Sequence, residues 1–314
     1  MMPPGGAEAR ATSLAALAGA VHEKKTAKDH VKLVRKLHKT KAELPARGRR
    51  SVEIAAEEVR KATSLPADMA SDLALAKSRA LEGWKAARAD NNFKAFAKHL
   101  ERLLELSREV ARLEAPKRDA YDALLDHYEP GASMAELGPL LDQLEELTVP
   151  LVQRMAKARP KPSPKPLQGK YPVHGQVRFV RQVIEAMGID FDRARLDTST
   201  HPFCGGDGPG DVRLTGRWNE RDLRQGLYGA IHEAGHGLYE QGRSAKVARS
   251  PLGGAVSMAI HESQSRLWEN MIGRSKPFWR HFLPKAKALF PEPLSKSNLD
   301  SVWRAANYLS LIHI

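Results

Sequence analysis

The chain has 314 residues, 42% of them apolar, which is enough to bury a large core. A single cysteine, Cys204, excludes an internal disulfide, and no apolar run approaches the length needed to span a bilayer. The net charge of +13 is concentrated in Lys24–Arg50, but aromatic content is only 6% and no zinc-finger, helix-turn-helix or RNA-binding signature accompanies it, so a nucleic-acid partner is not expected.

In chain order, the first half reads as helix after helix. Ala7–Lys25, Arg50–Thr63, Ala67–Ala89, Phe93–Glu114 and Met134–Ala158 combine helical periodicity with Ala, Leu, Glu, Lys and Arg, the strong helix formers. Asn91–Asn92 and Pro130–Gly131 read as breaks. Arg159–Pro172 is rich in Lys and Pro and predicts an extended, polyproline-like path. The expected organisation is therefore a helical region over 1–158, a linker over 159–172 and a chemical region over 173–314, as lobes of one domain. No leader of the cationic-then-apolar kind precedes them, so a cytoplasmic location is expected.

The second half holds the chemistry. His201-Pro202-Phe203 is followed by Gly205–Gly210, which lacks the Gly-Lys-Ser/Thr ending of a phosphate cradle and reads as a tight connection. Asp211–Thr215 alternates polar and apolar residues as a short strand does. Next comes Ile231–Gly242, which contains His-Glu-x-x-His, on a segment whose Leu223, Leu227, Ile231, Ala234 and Leu238 form one apolar stripe. Residues four apart lie one above the other on a helix, so His232 and His236 present two imidazoles to one point. That pair suits Zn²⁺, and Glu233 between them is placed to handle the proton of a metal-activated water. Gly235 and Gly237 are poor helix formers, which predicts a close approach to the helix there.

A catalytic zinc needs a third protein ligand. Gly242 stands where the metzincin pattern requires a third histidine. Glu240 shares the helical face but lies about a turn beyond the pocket. The better candidate is Glu262 in Ala259-Ile-His-Glu-Ser-Gln, with Val256, Ile260, Leu267 and Met271 expected to anchor that helix by another face. Glu269 competes for the role, or supports an imidazole N–H instead. His261 reads as structural or as support for a ligand. Cys204 reads as a bystander thiol, because three N/O ligands already leave only the open position.

The order His-Pro-Phe (His201–Phe203), Asp-x-Arg-x-Thr (Asp211–Thr215), His-Glu-x-x-His (His232–His236) and His-Glu-Ser-Gln (His261–Gln264) resembles the carboxypeptidase Taq family of prokaryotic zinc metallocarboxypeptidases. Similarity extends upstream through Tyr121–Gly131 and Met2–Arg10. The resemblance implies a mainly α, multi-helix metallopeptidase fold with a small β-sheet near the active site. It also implies a metal on His232, His236 and Glu262, with Glu233 as catalytic acid/base. Zn²⁺ is the expected ion, with Co²⁺ or Mn²⁺ as alternatives for an N/N/O site. The expected activity is release of C-terminal amino acids from peptides with a free C-terminus, by a protein that is typically a homodimer.

Arg213, the motif-borne cation, is a candidate for contact with the terminal carboxylate, and His201, Asp211 and Thr215 are further candidates for substrate contact. Family members also carry Ile-Arg-x-x-Ala-Asp and Gly-x-x-Gln-Asp-x-His-Trp motifs further on, and neither is present in this chain. The sequence is therefore expected to be truncated at both ends. The alternatives are a zinc endopeptidase or oligopeptidase, an inactive metal-binding fragment and, more distantly, a basic nucleic-acid-binding helical protein.

Overall fold

The structure, a computed structural model, describes residues 3–159 and 162–308. Met1, Met2 and Leu309–Ile314 lie outside the described residues, as do Pro160 and Lys161 of the Pro/Lys-rich stretch. The chain divides into two compact units. One runs through Glu136 and takes in Ser250–Leu252; the other comprises Leu137–Arg249 and resumes at Gly253.

The first unit contains α1 (Ala7–Thr26), α2 (Lys28–Lys39), α3 (Ala46–Ser64), α4 (Met69–Ala89), α5 (Phe93–Glu114) and α6 (Ala120–Leu125). Alanines make close helix packing affordable: Ala11 on α1, Ala80 and Ala87 on α4 and Ala111 on α5 are all buried, and α4 packs along both α1 and α5. The break at Asn91–Asn92 falls where expected, with the Asn92 side chain accepting from the Ala95 N–H to start α5. The basic stretch Lys24–Arg50 also contains a helix that charge density obscured. Val34 of α2 is buried, while its lysines ride the outer face.

One ion-pair cluster ties this unit together. Asp126 lies 2.7 Å from Lys61 of α3 and 3.5 Å from Arg118, and accepts from the Gly131 N–H at 2.9 Å. Burial pushes the Asp126 carboxyl up, but Lys61, the Gly131 N–H and Arg118 outweigh it and bring the pKa down to about 2. A depressed carboxylate adds stability that is full above its unfolded value and fades as pH falls through the folded one. Asp126→Asn is therefore expected to cost about 2 kcal/mol at neutral pH, with the gap to the parent closing between about pH 4 and pH 2. Urea unfolding of both chains across that range measures it.

α7 (Met134–Lys157) follows, with no buried residue along its length, and α8 (Val173–Met187) ends at Gly188 with φ of +109°. The Pro/Lys-rich stretch, expected to run extended, makes a 3-10 turn at Lys165–Leu167 and buries Leu167 and Tyr171 completely. A three-stranded sheet comes next: β1 (Ala194–Thr198), β2 (Cys204–Gly206) and β3 (Val212–Gly216), in the order β1-β3-β2. β1 runs parallel to β3, and β2 antiparallel. The strand expected at Asp211–Thr215 is β3. Part of the expected glycine connection is itself a strand, closed by Gly206 at φ +145°, where a Cβ would stand 1.7 Å from the Asp211 carbonyl oxygen.

The sheet lies against α9 (Leu223–Gly242), and α10 (Met258–Arg266) continues into a π-helical turn at Leu267–Ile272. α11 (Lys276–Leu289), α12 (Pro291–Leu294) and α13 (Leu299–Ala306) complete the described residues. The core of this unit joins Phe179, Val183 and Ile184 of α8, Leu223, Leu227, Ile231 and Ala234 of α9, Leu214 of β3, Trp279 of α11 and Val302 of α13. The fold is mainly helical with a small sheet, as the sequence predicts. No helix among the described residues is long and apolar enough to cross a membrane.

The expected anchor of α10 is corrected. Val256, Ile260, Leu267 and Met271 are 74%, 50%, 40% and 71% exposed. The helix is seated by small residues instead, with Ser265 fully buried against α9.

Candidate metal centre

α9 carries the centre because its apolar stripe is buried while the flank is left open. Leu223, Leu227, Ile231 and Ala234 are fully buried, and Asp222 caps the first turn by accepting from the Arg224 N–H. His232 and His236 project one turn apart, with ring centroids 4.9 Å apart. Beside them, Gly235 lets α10 come in close. A Cβ at Gly235 would meet Ser265 Cα at 2.6 Å and Gln264 O at 2.8 Å, both backbone atoms that have nowhere to go. Ser265 is one helical turn past Glu262, so this seat sets where Glu262 stands.

Gly235→Ala is expected to cost about 1–3 kcal/mol of stability and to weaken zinc binding by pushing α10 outward. Gly237→Ala meets only side-chain ends, Ile189 Cδ1 and Leu214 Cδ2 at 3.0 Å, and should cost less. Thermal melts and zinc titration of the two variants make the comparison.

His232, His236 and Glu262 each offer a ligand atom, all within 4.8 Å of one another. Glu262 Oε2 is 3.3 Å from His236 Nε2 and 3.7 Å from His232 Nε2. Two ligand atoms of a tetrahedral ion bonded at about 2.1 Å stand about 3.4 Å apart, so the set fits such an ion. Arg266 donates to the other oxygen of Glu262 at 2.8 Å and so turns Oε2 toward the imidazoles. Burial, together with the His261 and His232 rings, pushes His236 down to about 4. His236 is thus the neutral imidazole that a metal requires.

Glu269 reaches the His232 imidazole from behind. Its Oε2 is 3.0 Å from His232 Nδ1, the nitrogen turned away from Glu262. The carboxylate is braced by Arg274 at 3.1 Å and Arg266 at 3.3 Å. Hydrogen bonding to Glu269 raises the His232 pKa despite burial, and burial of Glu269 is outweighed by His232 and Arg274, so its own pKa falls. Glu262 and Glu269 are seven residues apart in sequence yet grip opposite nitrogens of one ring; the π turn that contains Glu269 is part of how they do so. Of the two carboxylates left open by the sequence, Glu262 stands with the imidazole pair and Glu269 supports it.

Glu233 is only 7% exposed. Burial raises its carboxyl above the usual range against the opposing pull of His232 and His201, and the Cys204 N–H donates to it from β2. Burial and the charges of Glu233 and Glu240 push the Cys204 thiol up to about 12, so it stays protonated.

A family model for the carboxypeptidase Taq (M32) metallopeptidases matches residues 1–314. The chain belongs to this family. Thermostable carboxypeptidase 1 of Thermus thermophilus is 36% identical over 327 aligned residues, which cover 100% of this chain and 64% of the relative. Carboxypeptidase 1 of Bacillus subtilis is 32% identical over 305 residues, covering 97% and 61%. The crystal structure of the M32 carboxypeptidase from Deinococcus radiodurans R1 superimposes with a TM-score of 0.87 at 35% identity, covering 99% of this chain and 62% of that one. The chain therefore spans less than two thirds of the length of these M32 relatives.

The remaining M32 motif residues stand apart from the imidazole pair in their bonding. Arg213 and Asp211 pair with each other at 2.7 Å on the exposed side of β3. The Thr215 hydroxyl is buried and accepts from the Phe203 N–H at 2.8 Å, with Ser199 Oγ at 2.7 Å, so it fastens the His-Pro-Phe loop to the sheet. His201 Nδ1 is 2.6 Å from the Pro202 carbonyl oxygen, and its charge bears on Glu233. Sequence reasoning missed the bracing of Glu269 by Arg274 and the Cys204 N–H on Glu233. The first is a local pair, five residues apart across the π turn, that no motif marks; the second depends on β2 being brought to α9 by the fold.

Proposed function

We propose that this chain is a zinc-dependent metallocarboxypeptidase that releases C-terminal amino acids from peptides. The observation that supports this most is the pairing of a three-atom N/N/O ligand set with a sealed carboxylate, Glu233, directly beside it on the same helix. His232, His236 and Glu262 would hold the ion, and Co²⁺ or Mn²⁺ would suit the same donors. When bound, the ion supplies Lewis acidity and lowers the pKa of a coordinated water towards about 7.

Glu233 then works as the proton carrier. Burial makes its carboxylate a better base than a solvated glutamate, and the Cys204 N–H fixes one orientation for it. Its carboxylate takes a proton from the attacking water as the water oxygen bonds to the scissile carbonyl carbon, and returns it to the amine nitrogen as the C–N bond breaks. Glu269 and Arg266 hold His232 and Glu262 in register throughout. A cytoplasmic setting agrees with a chain whose lone cysteine is a protonated bystander.

The test is hydrolysis of N-blocked peptides by zinc-loaded protein. Stepwise loss of residues from the free C-terminus, abolished by chelation and restored by zinc, supports the proposal. Internal cuts would favour an endopeptidase instead. Stoichiometric zinc without turnover would favour a metal-holding chain, a reading supported by the Arg213–Asp211 pair, which leaves that motif cation already neutralised.

A further inference from the structure

A second imidazole stands behind His236. The Nδ1 atoms of His236 and His261 are 2.5 Å apart. His261 Nε2 is 2.9 Å from Glu240 Oε1, and Glu240 Oε2 is 2.7 Å from Arg243 Nη2. Arg243 in turn donates to the Gly253 carbonyl. Tyr239 lies against the His261 ring with centroids 4.4 Å apart. His261, Glu240 and Arg243 are all largely buried, at 16%, 20% and 18% side-chain exposure.

With both rings neutral, proton bookkeeping along this row has one consistent answer. Glu240 as a carboxylate only accepts, so His261 must carry its proton on Nε2. Its Nδ1 then holds a lone pair and accepts from His236. The His236 proton is therefore on Nδ1, and the lone pair on Nε2 points toward Glu262 Oε2, 3.3 Å away. The reverse assignment sets a bare His261 nitrogen against a carboxylate oxygen and aims an N–H into the ligand pocket. Glu240 lies on the same helix as His236, one turn on, and the structure spans the gap between them with a ring borrowed from α10. His232 achieves the same result directly through Glu269.

We propose that His261, backed by Glu240 and Arg243, is a positioning residue that fixes the His236 proton on Nδ1 and so presents Nε2 to the metal. The inference rests on the metal-site reading of His232, His236 and Glu262, and deepens it.

The experiment measures zinc affinity of the whole chain by competition with a chelating dye, for the parent, His236→Ala, His261→Ala and His261→Asn. Circular dichroism of each metal-free protein confirms folding. His261→Ala is expected to bind zinc roughly 10–100-fold more weakly. His261→Asn, whose Oδ1 takes the acceptor place of Nδ1, should recover most of that loss, a rescue that mere space-filling does not predict. Nitrogen-15 spectra of the metal-free parent should show the His236 proton on Nδ1, and a mixture of tautomers in His261→Ala.

Zinc binding that is unchanged in His261→Ala but abolished in His236→Ala overturns the relay and leaves the metal site standing. A parent that takes up no zinc overturns the metal-site reading itself. If the alanine variant does not fold, a loss of tenfold or more in a folded His261→Asn overturns the proposal, and near-parent affinity supports it.

Discussion

Glu233→Gln is expected to take up one zinc per chain with near-parent affinity and to hydrolyse N-blocked peptides at least about 10²-fold more slowly. The amide keeps the shape and burial of the carboxyl and can still accept from the Cys204 N–H, so the pocket survives. What disappears is the ability to take and return a proton, which raises the barrier by about 3 kcal/mol or more. Metal analysis and steady-state kinetics on one preparation separate the two quantities. Undiminished turnover would remove Glu233 from the reaction. Loss of zinc together with activity would assign it a structural role instead.

Glu262→Ala is expected to lose zinc altogether at micromolar protein, because two imidazoles alone leave the tetrahedral set incomplete. Glu269→Ala provides the contrast. Of the three proposed ligands its carboxylate touches only His232, at the far nitrogen, so its removal should weaken binding by roughly 10–100-fold without abolishing it. Equilibrium dialysis of both variants against buffered zinc ranks them. A Glu262 variant that binds like the parent, or a Glu269 variant that binds none, would exchange the two roles.

Much of this centre was legible in the chain itself. The spacing of Leu223, Leu227, Ile231 and Ala234 marks a helix with one buried side, and that side is buried. Once the helix is granted, His232 and His236 must converge, and Gly235 announces the close neighbour that proves to be α10. The alternation of Asp211–Thr215 likewise marks β3.

What escaped was tertiary. Periodicity in Val256, Ile260, Leu267 and Met271 identifies a face but not whether anything covers it, and that face is largely exposed. Glycines argue against a strand at Cys204–Gly206, yet pairing with β3 overrides that preference. Leu167 and Tyr171 sit among prolines and lysines, where nothing local signals a core position. The α2 helix is masked by the density of its lysines, although Val31, Val34 and Leu37 recur at helical spacing and turn inward. Glu240 is an ordinary surface-like charge in sequence, and only the approach of α10 gives it an imidazole to work on.

The π turn at Leu267–Ile272 bears on how this sequence can drift. Because it accommodates one more residue than an ordinary turn, deleting Leu267 or Trp268 would return the backbone to regular α geometry and swing Glu269 about 100° around the axis relative to Glu262. Replacing an exposed neighbour such as Met271 changes only what faces water. Across descendants of this chain, the length of that six-residue stretch should therefore be held more tightly than its composition.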